Sequence, residues 1–423
     1  MNKAKIQVKK GSIFAYRVYD IAHEIDLKKA EASLNQVDGT VKRFSLQRDP
    51  HRMIIMRQAP VHIQVSGVEE IKIKLPTEEK TLQATLEIKL WDYGVISFCY
   101  RMNIPENLSW KDLVLIGSIL DTDSVIDELC TKKRQEVTNK ILPALKNPYQ
   151  NDNQLIFEDY TTYLVQEAIE VVKNKNDQGE ESLTEVSIKN PQDLLKKAAV
   201  AELILAEPNR SLSDNVKKTV LSNGSQYTNK DLLILDWNSA LVVDFTKEKE
   251  YQDYVDLIEF SLTQLLELRI YDQLLDEKLD SLYDAIENNS QEKMTNYYSS
   301  LSEEASQLYM EFSDFFEKLD NSLKTVGDVY LAKVLDNADK KFGFEKLKKT
   351  MSRKIDTLGN ITEIFQDKIN GVIDEERNKI SEHHQKTTLR LEWAVVIFFL
   401  IEVGPTIWKF LTITLPNFIS GLM

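Results

Sequence analysis

The sequence predicts an α+β N-terminal part with β-hairpins, followed by a long helical bundle or coiled coil and one C-terminal transmembrane helix. Apolar and polar residues alternate in parts of the first half, which is typical of strands with one buried face. No proline occurs between Pro208 and Pro405, and apolar residues recur at helical spacing after Phe245. An apolar run near the C-terminus, RLEWAVVIFFLIEVGPTIWKFL, has the length of a membrane span.

The expected domain organisation follows from changes in composition along the chain. With 423 residues, the chain is long enough for two or three domains that each bury a core. The predicted segments are an α+β domain (1–173), a polar linker or loop (174–189), a second α+β segment packing with the first (190–246), a long-helix bundle or coiled coil (247–390), a transmembrane helix (391–411) and a short tail (412–423).

Two segments predict β-hairpins. From Leu82 to Leu90 apolar residues alternate strictly with polar ones, which indicates a strand with one face buried. Turn residues follow at 91–94, and the alternation resumes from Ile96 to Met102. The segment from Asp231 to Phe245 has the same plan, with its turn near residues 236–239. An internal duplication and a chance similarity of the turns both explain this likeness.

Helix start signals and strand patterns define the remaining elements of the first half. Ser109, with Asp112 three residues later, predicts the start of one helix, and a second helix should run from Ser124 to Ile141. Residues 155–165 read as a strand. The polar and acidic segment 174–187 is interpreted as a loop or linker because its composition offers too little apolar surface to bury.

A further helix is expected between two prolines. Asn190 is a suitable N-cap residue and Pro191 suits the first helical position. The helix should continue through DLLKKAAVAELILAE and end before Pro208.

The segment after residue 246 predicts long helices. Ten positions spaced four and three residues apart form a seam in which Ser261 and Asp272 are the polar exceptions. This seam is either the core of an intramolecular bundle or a surface for self-association with another copy. Its positions are Tyr254, Ile258, Ser261, Leu265, Leu268, Asp272, Leu275, Leu279, Leu282 and Ile286.

Two more helices should follow this first long helix. One carries apolar residues from Leu301 to Leu323, and the next begins at about Phe344. The turn between the first two is expected at residues 288–290, and Gly327 and Gly343 are candidate breaks.

Composition excludes several classes of function. A net charge of −14 argues against direct binding of nucleic acid, because phosphate contacts need clustered Lys and Arg. The two cysteines, Cys99 and Cys130, give no disulfide or metal-type pattern and favour a reducing compartment. The N-terminus lacks the apolar region of a secretory signal and the composition of a transit peptide.

The window from Trp393 to Leu411 is apolar at fourteen of nineteen positions. Its eleven Val, Ile, Leu and Phe residues favour insertion by about 3–7 kcal/mol in sum. A central charge such as Glu402 opposes insertion by about 2.5–3.5 kcal/mol, so insertion is favoured. The residues assigned to the membrane anchor are Glu392, Trp393, Phe398, Phe399, Glu402, Pro405, Trp408 and Lys409.

Charge sets the expected orientation of this span. Arg377, Lys379, Lys386 and Arg390 precede it, so the bulk of the chain should face the cytoplasm, with a tail-anchored single pass. Glu402 is either a tolerated, protonated acid or a group that lines a pore in an oligomer.

The segment RLEWAVVIFFLIEV, after a long helix, resembles the C-terminal signature of the required-for-meiotic-nuclear-division family. The matching residues are Leu391, Glu392, Trp393 and Glu402. The resemblance implies a membrane-anchored organising factor, a role linked in mitochondrial members to organellar translation. It supplies no enzymatic residues, and the lack of a transit peptide indicates a bacterial relative.

The sequence contains no motif that demands catalytic chemistry or a cofactor. Its thirteen glycines are never closer than twelve residues apart, which excludes a P-loop and a dinucleotide fingerprint. The first hypothesis is therefore a non-enzymatic membrane-anchored scaffold that can form oligomers. Its protein partners are unknown. The alternative is a subunit of an oligomeric cation channel or transporter that uses Glu402, and an enzyme in the α+β part is a third hypothesis.

Overall fold

The computed structural model of the chain divides into two compact units. Unit 1 comprises Met1–Glu277 and Asp314–Arg353, and unit 2 comprises Lys278–Ser313 and Lys354–Met423. Residue 246, the predicted end of the second α+β segment, lies within unit 1. The residues described are 5–34, 39–43, 60–76, 78–149, 156–175, 181–222, 224–246, 251–287, 299–300, 302–310, 312–313, 329–409 and 411–412.

An eleven-stranded mixed sheet forms the framework of unit 1. Its main strand order is β12-β13-β10-β1-β7-β6-β4-β3, with β11 paired to β10, β5 to β6 and β8 to β1, while β2 and β9 form a separate pair. The strands are β1 (Lys5–Asp20), β2 (Ala22–Ile25), β3 (Gly39–Arg43), β4 (Val61–Val65), β5 (Glu69–Lys74), β6 (Glu79–Leu90), β7 (Val95–Asn103), β8 (Leu108–Ser109), β9 (Leu145–Pro148), β10 (Phe157–Lys175), β11 (Glu181–Ile188), β12 (Asp231–Leu235) and β13 (Ser239–Asp244).

Helices interrupt and follow these strands along the chain. The C-terminal helix α10 is 66 residues long, which corresponds to about 100 Å at 1.5 Å per residue. The described helices are α1 (Leu27–Leu34), α2 (Trp110–Thr122), α3 (Val125–Ile141), α4 (Pro191–Lys197), α5 (Val200–Ile204), α6 (Asp214–Leu221), α7 (Tyr251–Glu287), α8 (302–310), α9 (Val329–Phe342) and α10 (Phe344–Lys409).

Strand β1 lies at the centre of the sheet, antiparallel to β10 on one side and to β7 on the other. Strand β10 is long enough to pair with two strands in succession. Its first part is parallel to β13 and its second part is antiparallel to β11. The alternation of side chains along a strand then gives the sheet two faces of different character.

The first face of the sheet carries the apolar core of unit 1. Ile13 and Tyr19 of β1, Phe98 of β7 and Ile88 of β6 point to this face and pack with buried residues of α1 to α6. The alternate residues point to the second face, which α7 covers. There the hydroxyl of Tyr16 donates to the carbonyl of Val255 over 3.5 Å.

The structure confirms the elements that rest on local signals. Both predicted hairpins are present, as β6–β7 and as β12–β13. Ser109 is the N-cap residue of α2, and its hydroxyl accepts a hydrogen bond from the backbone N–H of Asp112 at 3.1 Å. Helix α3 covers the expected range and begins after Ser124. Gly343, with φ of +73°, separates α9 from α10 as predicted.

Three predicted elements need correction. The strand expected at 155–165 begins at Phe157 and extends to Lys175. The interpretation of 174–187 as a loop or linker is wrong for residues 181–187, because β11 pairs with β10 there. Its polar composition is compatible with a strand because these residues are largely exposed at an edge of the sheet.

The single helix expected from Asn190 to Pro208 is also wrong, since the structure has two helices there. Asn190 does cap α4, but Ala198 has extended backbone angles and ends that helix. The carbonyl of Ala199 accepts a hydrogen bond from the indole N–H of Trp110 at 3.0 Å, so it serves a contact with α2. Helix α5 begins only at Val200.

Unit 2 contains the end of α7, the helix α8 and most of α10. Lys278 and Glu304 form an ion pair with an N–O distance of 3.1 Å. The buried residues of α10 in this unit recur at helical spacing up to Ile369, and every residue of 373–390 is exposed. The predicted turn at 288–290 and Gly327 lie outside the described residues, as does most of the predicted second helix.

The β6–β7 turn depends on a glycine. Gly94 has φ of +97°, and a Cβ atom on it would lie 1.6 Å from the carbonyl oxygen of Ala22. We therefore expect Gly94→Ala to lower the free energy of unfolding by about 1–3 kcal/mol. Denaturant titration of the full chain in detergent measures this. The control, Gly371→Ala in exposed helix, should be neutral or stabilising by up to about 1 kcal/mol; equal effects of the two changes would contradict the prediction.

Candidate functional site

Helix α10 places the predicted anchor residues on one continuous, exposed segment. Within the described part of the chain it is the helix that is long and apolar enough to cross a membrane, with a mean hydropathy of 1.6 over a window that is 0% buried. Phe398 and Trp408 are 74% and 70% exposed. The other anchor residues, Glu392, Trp393, Phe399, Glu402, Pro405 and Lys409, are also exposed.

The helix continues through Pro405 to Lys409. Glu402 therefore lies within one uninterrupted helix. Because the apolar side chains of the window are exposed and none is buried among the described residues, this segment is an apolar surface of the kind that marks a membrane or protein interaction site.

The apolar residues of the predicted seam from Tyr254 to Leu282 are buried, but in two different settings. Every residue from Tyr254 to Leu268 is buried, so this part of the helix is enclosed on all sides. Ile258, Leu265 and Leu268 therefore pack within unit 1 and do not form a stripe for another chain. Self-association through other parts of the helical segment stays a prediction. Of the later seam positions, Leu275, Leu279 and Leu282 are buried and Asp272 is half-buried.

A buried ion cluster lies between the second face of the sheet and α7. The ammonium of Lys89 donates to Asp256 Oδ1 at 3.1 Å and to Glu259 Oε2 at 2.6 Å. The hydroxyl of Ser97 donates to Glu259 Oε1 at 2.6 Å, and the indole N–H of Trp91 donates to Ser97 Oγ at 3.3 Å. The side chains of the three charged residues are 2–3% exposed.

Strand register and helix geometry bring these groups together. Lys89 of β6 is directly opposite Ser97 of β7, so both side chains point to the face that α7 covers. Asp256 and Glu259 are three residues apart on α7 and therefore lie on the same side of the helix. Burial alone lowers the pKa of the Lys89 ammonium, but the two carboxylates outweigh burial and hold its pKa above the ordinary value.

Further polar groups lie beside the ion cluster on the second face of the sheet. His62 Nε2 lies 3.2 Å from Glu87 Oε2, and this hydrogen bond holds the pKa of the Glu87 carboxyl below its usual value. Burial raises the pKa of the Cys99 thiol and the Tyr16 hydroxyl. The thiol of Cys99 is therefore protonated at neutral pH, which makes it a poor nucleophile.

Two buried carboxylates fix the start of α7. Asp231 and Asp244 are cross-strand partners in the β12–β13 hairpin. Asp244 Oδ2 accepts from the backbone N–H of Tyr251 at 3.1 Å, and Asp231 Oδ2 accepts from the hydroxyl of Tyr254 at 2.9 Å. These contacts satisfy buried groups at the helix N-terminus, which is a structural role.

The described residues offer little for metal or nucleotide chemistry. No group of three or more His, Cys, Asp or Glu side chains among them could hold a metal ion. An open polar groove of about 250 Å³ lies between the β12 region and α9, where Asn337 Nδ2 donates to Ser225 Oγ at 2.6 Å. The ion cluster is buried and links β6 and β7 to α7 through Lys89 and Ser97, so it joins α7 to the sheet.

Sequence reasoning missed the buried carboxylates of α7. Asp256, Glu259 and Glu267 lie outside the apolar seam and resemble residues on a solvated helix face. Their spacing of three and eight residues, with Thr263 between them, places them on one side of the helix and is the signal that was present. Lys89 was likewise assigned to the polar face of its strand, and that face is covered by α7 at this position.

Comparison with known proteins identifies the family of the N-terminal part. The profile of the family described as "Uncharacterized protein MJ0711, N-terminal domain" matches residues 10–252, from within β1 to the first residues of α7. No solved structure matches the chain. The match ends before the C-terminal residues that resemble the required-for-meiotic-nuclear-division family, so that resemblance stays a prediction.

A full-length relative supports the assignment. The "Uncharacterized protein MJ0711" of Methanocaldococcus jannaschii is 22% identical over 309 residues, which cover 70% of this chain and 89% of the relative. Because the family profile covers more than half of the sequence, the chain belongs to the family of the MJ0711 N-terminal domain.

Proposed function

We propose that the protein is a non-enzymatic scaffold that the end of α10 anchors in a membrane, with the bulk of the chain on the cytoplasmic side. The observation that carries the proposal is the apolar window of α10, none of which is buried within the part of the chain that the structure describes. In water, a helix with Phe398, Phe399 and Ile401 all more than 60% exposed would be unfavourable. A bilayer removes these side chains from water.

The juxtamembrane part of α10 supports the proposed orientation. Arg377, Lys379, Lys386 and Arg390 are exposed and lie within fifteen residues of Leu391. Basic residues on this side of a span are retained on the cytoplasmic side. The exposed residues 373–390 correspond to about 27 Å of helix at 1.5 Å per residue, enough to hold the packed part of unit 2 away from the bilayer surface.

Affinity isolation from native membranes tests the scaffold role. The full chain is compared with a variant whose residues 391–411 are replaced by an unrelated apolar span of equal length. We expect both chains to co-isolate the same partner proteins, because a scaffold needs the span only for its location. A matched chain that carries the span without residues 1–390 serves as background. Recovery of no protein above this background would contradict the proposal.

A substitution at Glu402 distinguishes the scaffold proposal from the channel alternative. We expect Glu402→Gln to leave both the co-isolated proteins and the membrane fractionation unchanged, because removing a charge from the window does not oppose insertion. A cation channel that uses this carboxylate would instead lose or greatly change its flux in reconstituted vesicles. Cation flux that depends on Glu402 in such vesicles would replace the scaffold proposal with the channel.

A further inference from the structure

Two buried acids meet where the β6–β7 turn, the end of β1 and α7 come together. Asp20 is the last residue of β1 and is 4% exposed, and Glu267 on α7 is 3% exposed. Asp20 Oδ1 and Glu267 Oε1 are both buried without a hydrogen-bond partner. Each acid also acts electrostatically on the hydroxyl of Tyr149, which places both acids within range of one group.

The groups around these acids come from the β6–β7 turn, β2, the segment after β9 and α7. Asp92 and Tyr93 belong to the turn, Tyr149 follows β9, and Thr263 and Gln264 of α7 act on Tyr93. The hydroxyl of Tyr149 and the backbone N–H of Ala22 both act to lower the pKa of Asp20, but burial outweighs them. Among the described groups that shift the two acids there is no basic side chain, in contrast to the Lys89 cluster.

The lack of a hydrogen-bond partner for Asp20 Oδ1 and Glu267 Oε1 has one simple chemical explanation. An ionised carboxylate has no hydrogen to donate, so two facing carboxylates leave both oxygens unsatisfied. One added proton converts one acid into an O–H donor, and both oxygens then share one hydrogen bond. Two neighbouring buried carboxylates also resist full ionisation because their charges repel in a medium of low polarity.

We propose that Asp20 and Glu267 form a proton-binding pair, in which a single proton shared between the two carboxyl groups holds α7 and the β6–β7 turn against the end of β1. The proton comes from water and returns to water, so the pair is a binding site for one proton. Its release leaves two adjacent negative charges at this junction. The junction also includes the Tyr93 hydroxyl, 2.6 Å from Thr263 Oγ1, which joins the turn to α7.

The direction of the pH dependence follows from the shifts of both groups. Burial raises the pKa of Asp20 from 3.8 to about 8 and raises the pKa of Glu267 well above its usual value. The folded protein therefore keeps a proton that the unfolded chain releases above about pH 4. The contribution to stability is complete below about pH 4 and is lost as the pH rises through the raised pKa values of the two acids in the folded protein.

Thermal unfolding of the full chain in detergent, at pH 5.5 and pH 8.5, tests the pair. We expect the wild-type Tm to fall between these two pH values, and Asp20→Asn and Glu267→Gln each to reduce that fall. At pH 8.5 each variant should melt above the wild type, because an amide removes the repulsion and can still donate a hydrogen bond. The control Glu106→Gln changes an exposed acid and should retain the wild-type pH dependence.

An infrared measurement keeps the proposal testable if a variant fails to fold. The carbonyl band of a protonated carboxyl group should be present in the folded wild type at pH 6.5 and decrease by pH 9.5. Performing it in a Glu402→Gln background removes the signal of the acid in the α10 window. Loss of the band in either pair variant that folds would support the pair. A wild type without a pH-dependent band, or pair variants with the same fall in Tm as Glu106→Gln, would overturn it.

Discussion

Lys89→Met is expected to lower the free energy of unfolding by about 3–5 kcal/mol, because it leaves two buried carboxylates without the ammonium that pairs with both. Methionine matches the length of the lysine side chain, so lost packing contributes little. Asp256 and Glu259 would then share a site that is almost inaccessible to water. The measurement is denaturant unfolding of the full chain in detergent, followed through tryptophan fluorescence.

An exposed ion pair provides a matched control for this change. Lys146 Nζ lies 2.8 Å from each carboxylate oxygen of Glu24, and the two side chains are 60% and 47% exposed. Lys146→Met should therefore change stability by no more than about 1 kcal/mol. Adding Glu259→Gln to Lys89→Met should restore part of the loss, since one of the two uncompensated charges is removed. Equal effects at Lys89 and Lys146 would show that the cluster is not buried as described.

Introducing two charges into the α10 window is expected to abolish membrane insertion. Each Asp near the middle of a span opposes insertion by about 2.5–3.5 kcal/mol, and each lost Phe removes about 0.3–0.6 kcal/mol of favourable transfer. Replacing Phe398 and Phe399 with Asp therefore opposes insertion by about 6–8 kcal/mol. This change equals or exceeds the favourable sum of the window, about 3–7 kcal/mol, before the charge of Glu402 is subtracted.

Insertion into isolated membranes during translation measures this effect. The control is the double replacement of Phe398 and Phe399 with Leu, which keeps both positions apolar and should insert like the wild type. Insertion of the double Asp variant at the wild-type level would mean that the window does not enter the hydrocarbon region. Loss of insertion in the double Asp variant would reflect the anchor and not the folding of unit 1, because unit 1 contains neither residue.

Local sequence signals predicted those elements whose structure depends on neighbouring residues. The Ser109 cap, the turn at Gly94 and the break at Gly343 each follow from the conformational preference of one residue. The length and apolar composition of the α10 window were also evident from the sequence. An apolar stretch long enough to span a bilayer is recognised without tertiary information.

Tertiary contacts decided the elements that the sequence did not predict. The break before Val200 accompanies a hydrogen bond from Trp110, which lies about ninety residues earlier in the chain. Lys89 looks like an exposed residue of an alternating strand until α7 covers that face. The Asp20–Glu267 pair combines residues almost 250 positions apart, and no spacing rule connects them.

The central claim is that the end of α10 leaves water for lipid, and washing membranes with alkaline carbonate tests it most directly. The full chain should stay in the pellet with integral proteins, whereas a chain that ends at His384 should appear in the supernatant. Release of the full chain together with the shortened one would contradict membrane anchoring by this helix.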